Sequence, residues 1–224
     1  MENAGTARKM LVRVVLVVLL LGAMLFIPAG TLAYWEAWVY LGVLLIPFTF
    51  VAIYFLRTNP AFLERRMRMR ERERAQRRII GLSWVWFLLA FILPGLDHRW
   101  GWSDVPVPVV IAADLVVLLG YGLIVLVFRE NQYAARTVQV EQGQQVISSG
   151  PYALVRHPMY LGAMAMYAAS PVALGSYWAL IPALAIIPIL VARIVNEEKV
   201  LERDLTGYRE YEQHTRRRLL PGIW

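Results

Sequence analysis

Gly150-Pro151-Tyr152-Ala153-Leu154-Val155-Arg156-His157-Pro158-Met159-Tyr160-Leu161-Gly162 is the stretch on which the rest of the chain turns. It ends a polar connection and leads straight into an apolar hairpin. Pro158 has no backbone N–H and a fixed φ, which suits the first turn of a helix. Arg156 and His157 therefore stand at or just before a helix N-terminus. Backbone N–H groups and the positive end of the helix dipole favour an anionic ligand group there.

Downstream of the loop come two short apolar runs, Met159–Leu174 and Tyr177–Ala192, joined by Gly175-Ser176 and interrupted by Pro171, Pro182 and Pro188. Proline-broken segments are tolerated at membrane depth where they are buried or line a cavity, so a tight helical hairpin is expected. Upstream lie four longer uncharged or nearly uncharged runs, Val14–Ala33, Ala37–Leu56, Ile79–Leu96 and Val105–Phe128. Each approaches the roughly 20 residues that cross a hydrocarbon core of about 30 Å. The first could be mistaken for a signal peptide, but it is long for that role and further spans follow.

The composition agrees: 58% of the 224 residues are hydrophobic and only 17% are charged. The expected fold is all-α, a polytopic membrane helical bundle with about six membrane segments. The last two form a short helical hairpin, and a C-terminal helix follows from Arg193. Two regions are expected, residues 1–128 with the N-terminal spans and a basic loop at 57–78, and residues 129–224 with the binding loop, hairpin and tail.

The net charge of +7 raises the question of nucleic acid, and the placement of the charge answers it. All but one of the 23 Lys and Arg lie in alternate connections or the two ends, the exception being Arg99. The positive-inside rule then places both termini, the His157 loop and the tail in the cytoplasm. The charged stretch Glu64–Arg78, with Glu64/Arg68 and Glu73/Arg77 at i,i+4, reads as a surface helix near anionic headgroups. No aromatic residues are interleaved there for nucleic-acid stacking. Cysteine is absent, which excludes disulfides and thiolate metal sites. His98, His157 and His214 lack ligand spacing, so no metal is expected.

Within the connection 129–157, Val138-Gln139-Val140 and Gln145-Val146-Ile147 suggest a short β-hairpin. Asp114, inside the fourth run, is a functional candidate by its position, with a hydrogen-bonded structural role as the alternative. Two polar clusters fall on the same predicted face: Arg156, His157 and Tyr160, and then Arg193 with Glu197 and Glu198. A hairpin returns the chain to its starting side, so these clusters should meet at the mouth of a membrane cavity. Taken separately, His157 could cap a helix and the two acids could be a solvated helix start. Tyr208 and Tyr211 read as packing residues, and Arg216-Arg217-Arg218 as a headgroup contact.

Gly150-Pro151-Tyr152, Arg156-His157-Pro158-Met159-Tyr160-Leu161-Gly162, Glu197-Glu198-Lys199-Val200-Leu201, Gly207-Tyr208-Arg209-Glu210-Tyr211 and Leu220-Pro221 together resemble the isoprenylcysteine carboxyl methyltransferase family and the related phospholipid N-methyltransferases. The resemblance covers roughly residues 130–224. It implies an S-adenosylmethionine pocket built from Tyr152, Arg156, His157, Pro158, Tyr160 and Gly162, with Glu197 and Glu198 anchoring ribose or amino groups or holding the loop through ion pairs. Arg193 matches an Arg implicated in handling a carboxylate substrate, so Arg193, Glu197 and Glu198 are the implied catalytic set.

The implied reaction is direct methyl transfer to a lipophilic or small substrate in contact with membrane lipids, the nucleophile being a carboxylate, amine or thiol. A carboxylate needs no general base. An amine or thiol needs one, with Glu197, Glu198 and Asp114 as candidates. Adenine would stack on Tyr152, Tyr160 or Tyr208. A sterol-reductase-like enzyme using NADPH is the rival reading, although that family usually has Asn where this chain has Met159. A non-catalytic lipid-binding or assembly protein is the other. On the methyltransferase reading, His157→Ala and Glu198→Ala should each abolish binding of S-adenosylhomocysteine without unfolding the protein.

Overall fold

The computed structural model describes residues 2–67, 74–134, 140–220 and 224. Among them are eight α-helices and no strand: α1 (Glu2–Ala29), α2 (Trp35–Thr58), α3 (Pro60–Met67), α4 (Arg74–Trp100), α5 (Val107–Glu130), α6 (Pro158–Ala173), α7 (Leu180–Asp204) and α8 (Tyr208–His214). The six expected apolar segments correspond to α1, α2, α4, α5, α6 and α7. Four of these helices, at 11–29, 35–58, 107–130 and 180–204, are long and apolar enough to cross a membrane by length and composition. The chain is an all-helical membrane bundle. Its outward surface carries large apolar side chains such as Ile27, Phe50 and Leu119, each more than 70% exposed, as a lipid-facing surface should.

α6 begins at Pro158 with His157 in the N-cap position, as the proline required. The hairpin turn falls at Gly175, whose φ of +71° is a left-handed conformation that glycine adopts without cost. Its second arm differs from expectation. α7 does not stop at Ala192 but runs on to Asp204, so Glu197 and Glu198 lie inside a helix and not at a solvated helix start. The reason is packing: Ile194, Glu198 and Val200 are buried on α7 beyond the predicted end, so burial continues where hydropathy falls. The expected β-hairpin is not formed at 145–147. Residues 138 and 139 lie outside the described residues, as do Arg68 and Glu73 of the predicted i,i+4 pairs.

The two ends of the bundle are chemically distinct. At one end, Asp97 is buried and accepts hydrogen bonds from the Ser103 N–H (2.7 Å) and the Ser176 hydroxyl, while the Tyr34 hydroxyl donates to the Leu174 carbonyl. These bonds tie together the α1–α2, α4–α5 and α6–α7 connections, and Arg99 stands at this end beside Gly30. At the other end Arg65 Nη2 donates to the Gln132 carbonyl (3.0 Å) and Arg66 Nη1 to the Ala134 carbonyl (3.3 Å). Gln76 Nε2 donates to the Arg193 carbonyl at 3.1 Å, and the binding loop and tail lie here too.

α5 and α6 cross closely. A Cβ on Gly162 would sit 2.6 Å from the Gly120 carbonyl oxygen, and one on Gly120 would sit 2.8 Å from the Gly162 carbonyl oxygen. Gly162 is thus a packing residue at a helix crossing, and its backbone approach fixes the height of α6 against α5. Gly162→Ala should force the two backbones apart and lower stability by about 1–3 kcal/mol. Thermal unfolding in detergent micelles measures this, and an unchanged melting temperature would contradict the close crossing.

Candidate active site

The loop before α6 is shaped by a 3₁₀ turn at Gly150–Ala153, after which the backbone N–H groups of Arg156 and His157 donate to the carbonyls of Arg217 and Arg218, both at 2.9 Å. The tail from Thr215 to Leu220 therefore straps the loop from outside. Trp224 closes the strap, its carbonyl accepting from the N–H groups of Arg218, Leu219 and Leu220. Leu219 and Trp224 pack with Tyr160 and Ile194 in one apolar cluster.

Glu198 is the centre of the polar arrangement and is only 2% exposed. Its Oε1 accepts from Arg156 Nε (2.9 Å) and Nη2 (2.8 Å) and pairs with His157 Nε2 at 3.1 Å. Its Oε2 accepts from Arg218 Nε at 2.7 Å. Three basic side chains from the loop and the tail thus converge on one carboxylate of α7. Arg156 has further partners in Glu212 (3.4 Å) and the Thr215 carbonyl. A buried carboxylate of this kind is tolerable because its oxygens are paired.

Glu197, one residue earlier, points elsewhere. It lines an open cleft together with Tyr152, Arg156, His157, Pro158 and Tyr160. The Tyr160 hydroxyl donates to Glu197 Oε2 at 2.5 Å and accepts from Arg193 Nε at 2.8 Å. Arg193, one turn before Glu197 on α7, therefore acts on the cleft through Tyr160 and does not line it.

The aromatic wall of the cleft comes from Tyr152, Tyr208 and Tyr211. Asn131 Nδ2 donates to the Tyr152 hydroxyl (3.0 Å), and the Tyr211 hydroxyl donates to the Tyr152 carbonyl (2.7 Å). Burial raises the pKa of Tyr152 and Tyr208 and pushes Tyr211 up to about 12, so all three stand as neutral phenols. Burial also raises Glu212, against the opposing pull of Arg156. The wall offers neutral donors and acceptors, which leaves Glu197 as the carboxylate facing the cleft.

Of the residues expected at the site, the structure brings Tyr152, Arg156, His157, Pro158, Tyr160 and Glu197 to the cleft wall, and sets Glu198 and Arg193 behind it. Gly162 lies away from it, against α5. Asp114 also lies away, roughly 25 Å from Asn131 along α5 at about 1.5 Å per residue. It is buried and neither carboxylate oxygen has a hydrogen bond, so the expected bonded structural role is not found among the described residues. His157 occupies the N-cap position but makes no cap bond with its side chain, which engages Glu198.

Arg218 is the residue that sequence reasoning assigned differently. Expected at lipid headgroups with Arg216 and Arg217, it instead bonds Glu198 and lies over the Trp224 ring at 5.2 Å. Nothing in a run of three arginines marks which of them turns inward. Asn131 and the amide side chains of Gln144 and Gln145, also on the cleft wall, carried no motif either.

No curated protein matches the chain significantly. Residues 108–206 match the family model described as phospholipid methyltransferase, a stretch that takes in nearly all of α5, the binding loop and the hairpin and ends before α8 and the C-terminal strap. Over those residues, somewhat under half of the chain, the protein is similar to the phospholipid methyltransferase family.

Proposed function

We propose that this protein is an S-adenosylmethionine-dependent methyltransferase whose donor occupies the cleft between the Arg156–Tyr160 loop, α7 and α8. The observation that carries the reading is the division of labour between two adjacent acids. Glu198 holds the loop and tail together, and Glu197 is left facing an open cleft. The residues suit such a ligand. A carboxylate accepts from hydroxyl or ammonium groups, amide side chains recognise a nucleobase edge, and tyrosine rings stack with it.

When bound, S-adenosylmethionine supplies a methyl group already activated on a sulfonium, so the protein has mainly to position the acceptor and exclude water. Tyr160 and Arg193 fix the orientation of Glu197 from behind. For an amine or thiol acceptor Glu197 is the group placed to take the proton, because the oxygens of Glu198 are occupied by three basic side chains. A carboxylate acceptor would need no base. The acceptor is a lipophilic or small molecule reached from the membrane. In the sequence, every Lys and Arg but Arg99 lies in alternate connections or the two ends, which supports a cytoplasmic cleft.

Isothermal titration of the purified protein with S-adenosylhomocysteine tests the reading. Binding is expected, and His157→Ala should weaken it at least tenfold, because the ring both lines the cleft and anchors to Glu198. Membrane extracts incubated with the tritiated methyl donor should yield labelled lipophilic product. No binding, no label, or consumption of a reduced nicotinamide instead would overturn the proposal.

A further inference from the structure

Gly207 adopts φ of +86° and turns the chain sharply between α7 and α8, so Tyr208 folds back over the cleft as the first residue of α8. Its ring is 4% exposed and packs in a cluster with Leu205, Tyr211 and Tyr152. Its hydroxyl is buried and has no hydrogen-bond partner. The phenols of Tyr152, Tyr160 and Tyr211 each have one. Among the buried side-chain groups left without a partner, Tyr208 is the one that lines the cleft.

An unsatisfied buried hydroxyl is costly, and such a group at a cleft calls for an explanation. The surroundings of this one are specific. Glu198, Arg156, Glu212 and Glu197 all lie within electrostatic range of it; Glu198 is already matched by Arg156, His157 and Arg218, which leaves Glu197 as the carboxylate that faces the cleft beside it. Burial and the nearby Glu198 keep it a neutral phenol that can accept a hydrogen bond. A cationic N–H donor is the group that the cleft-facing carboxylate of Glu197 favours in this corner.

We infer that the Tyr208 hydroxyl is a ligand-binding group of the cleft, held open to accept a hydrogen bond from the ammonium of the donor's amino-acid end. The inference rests on the methyltransferase reading and adds to it which end of the ligand lies toward α8. Tyr208→Phe removes one oxygen and leaves the ring packing intact, which separates binding from folding.

The experiment is titration of the full-length protein in detergent micelles with S-adenosylhomocysteine. Competition measures 5′-methylthioadenosine, a nucleoside thioether without the amino-acid end. Tyr208→Phe is expected to weaken S-adenosylhomocysteine about tenfold, to leave 5′-methylthioadenosine unchanged, and to keep or raise the melting temperature of the ligand-free protein. An unchanged affinity for S-adenosylhomocysteine would overturn the inference while leaving the proposed function intact. Equal weakening of both ligands would place the contact on the shared nucleoside and overturn the assignment to the amino-acid end. A lower melting temperature without ligand would show the hydroxyl already bonded within the protein, again against the inference. Failure of the wild-type protein to bind either ligand would defeat the methyltransferase reading first, and this inference with it.

Discussion

Glu198→Ala is expected to lower the stability of the folded protein by about 3–5 kcal/mol, the usual cost of leaving buried charges without their partner. Arg156 and His157 are each less than a tenth exposed, and both lose their shared acceptor in the variant. The strap loses one of its ties as well, because Arg218 reaches the loop through the same carboxylate. Binding and stability should therefore fall together, which revises the expectation from sequence that Glu198 can be removed without unfolding. Arg218→Ala serves as the graded control. Its side chain is 35% exposed and leaves two partners on Glu198, so its effect should be a fraction of that of Glu198→Ala. Thermal unfolding in micelles, with and without S-adenosylhomocysteine, measures both. A Glu198→Ala protein as stable as wild type would remove the carboxylate from the centre of the site.

Glu197→Gln should do the opposite. The Gln side-chain carbonyl can still accept from the Tyr160 hydroxyl, so stability should change by less than about 1 kcal/mol. The charge and the proton-accepting capacity facing the cleft are lost, and methyl transfer to an amine or thiol acceptor should fall about 10²- to 10³-fold. Initial rates in reconstituted vesicles, set beside a melting curve, test the pair of effects. A variant with full activity would exclude Glu197 as the functional carboxylate. A variant that unfolds would mean that the two acids share one structural role. The contrast between neighbouring residues is the useful feature, since adjacent positions on a helix point about 100° apart.

The apolar runs, the hairpin turn at Gly175 and the start of α6 at Pro158 were legible because each rests on local chemistry. A long uncharged run must satisfy its backbone hydrogen bonds within a helix, and a proline at a loop–helix junction fixes one boundary. The end of α7 was not legible. The drop in hydropathy at Arg193 looked like a membrane exit, yet the helix continues because Ile194 and Glu198 on its inner face are buried by the loop and tail. Gly162 shows the same limit. Its place in the motif suggested ligand contact, whereas its nearest neighbour is the carbonyl oxygen of Gly120 on α5.

By itself the sequence determined that this chain is an all-helical membrane protein with a basic loop and an acid pair returned to one end. Hydropathy, proline and charge placement act locally and do not depend on distant partners. Only the tertiary structure decided which acid holds the loop and which faces the cleft, and that Arg218 turns inward. It alone shows that the buried Tyr208 hydroxyl has no hydrogen-bond partner. Those outcomes depend on which side chains meet across three separate segments, and burial makes each unpaired polar group there too costly to leave to chance.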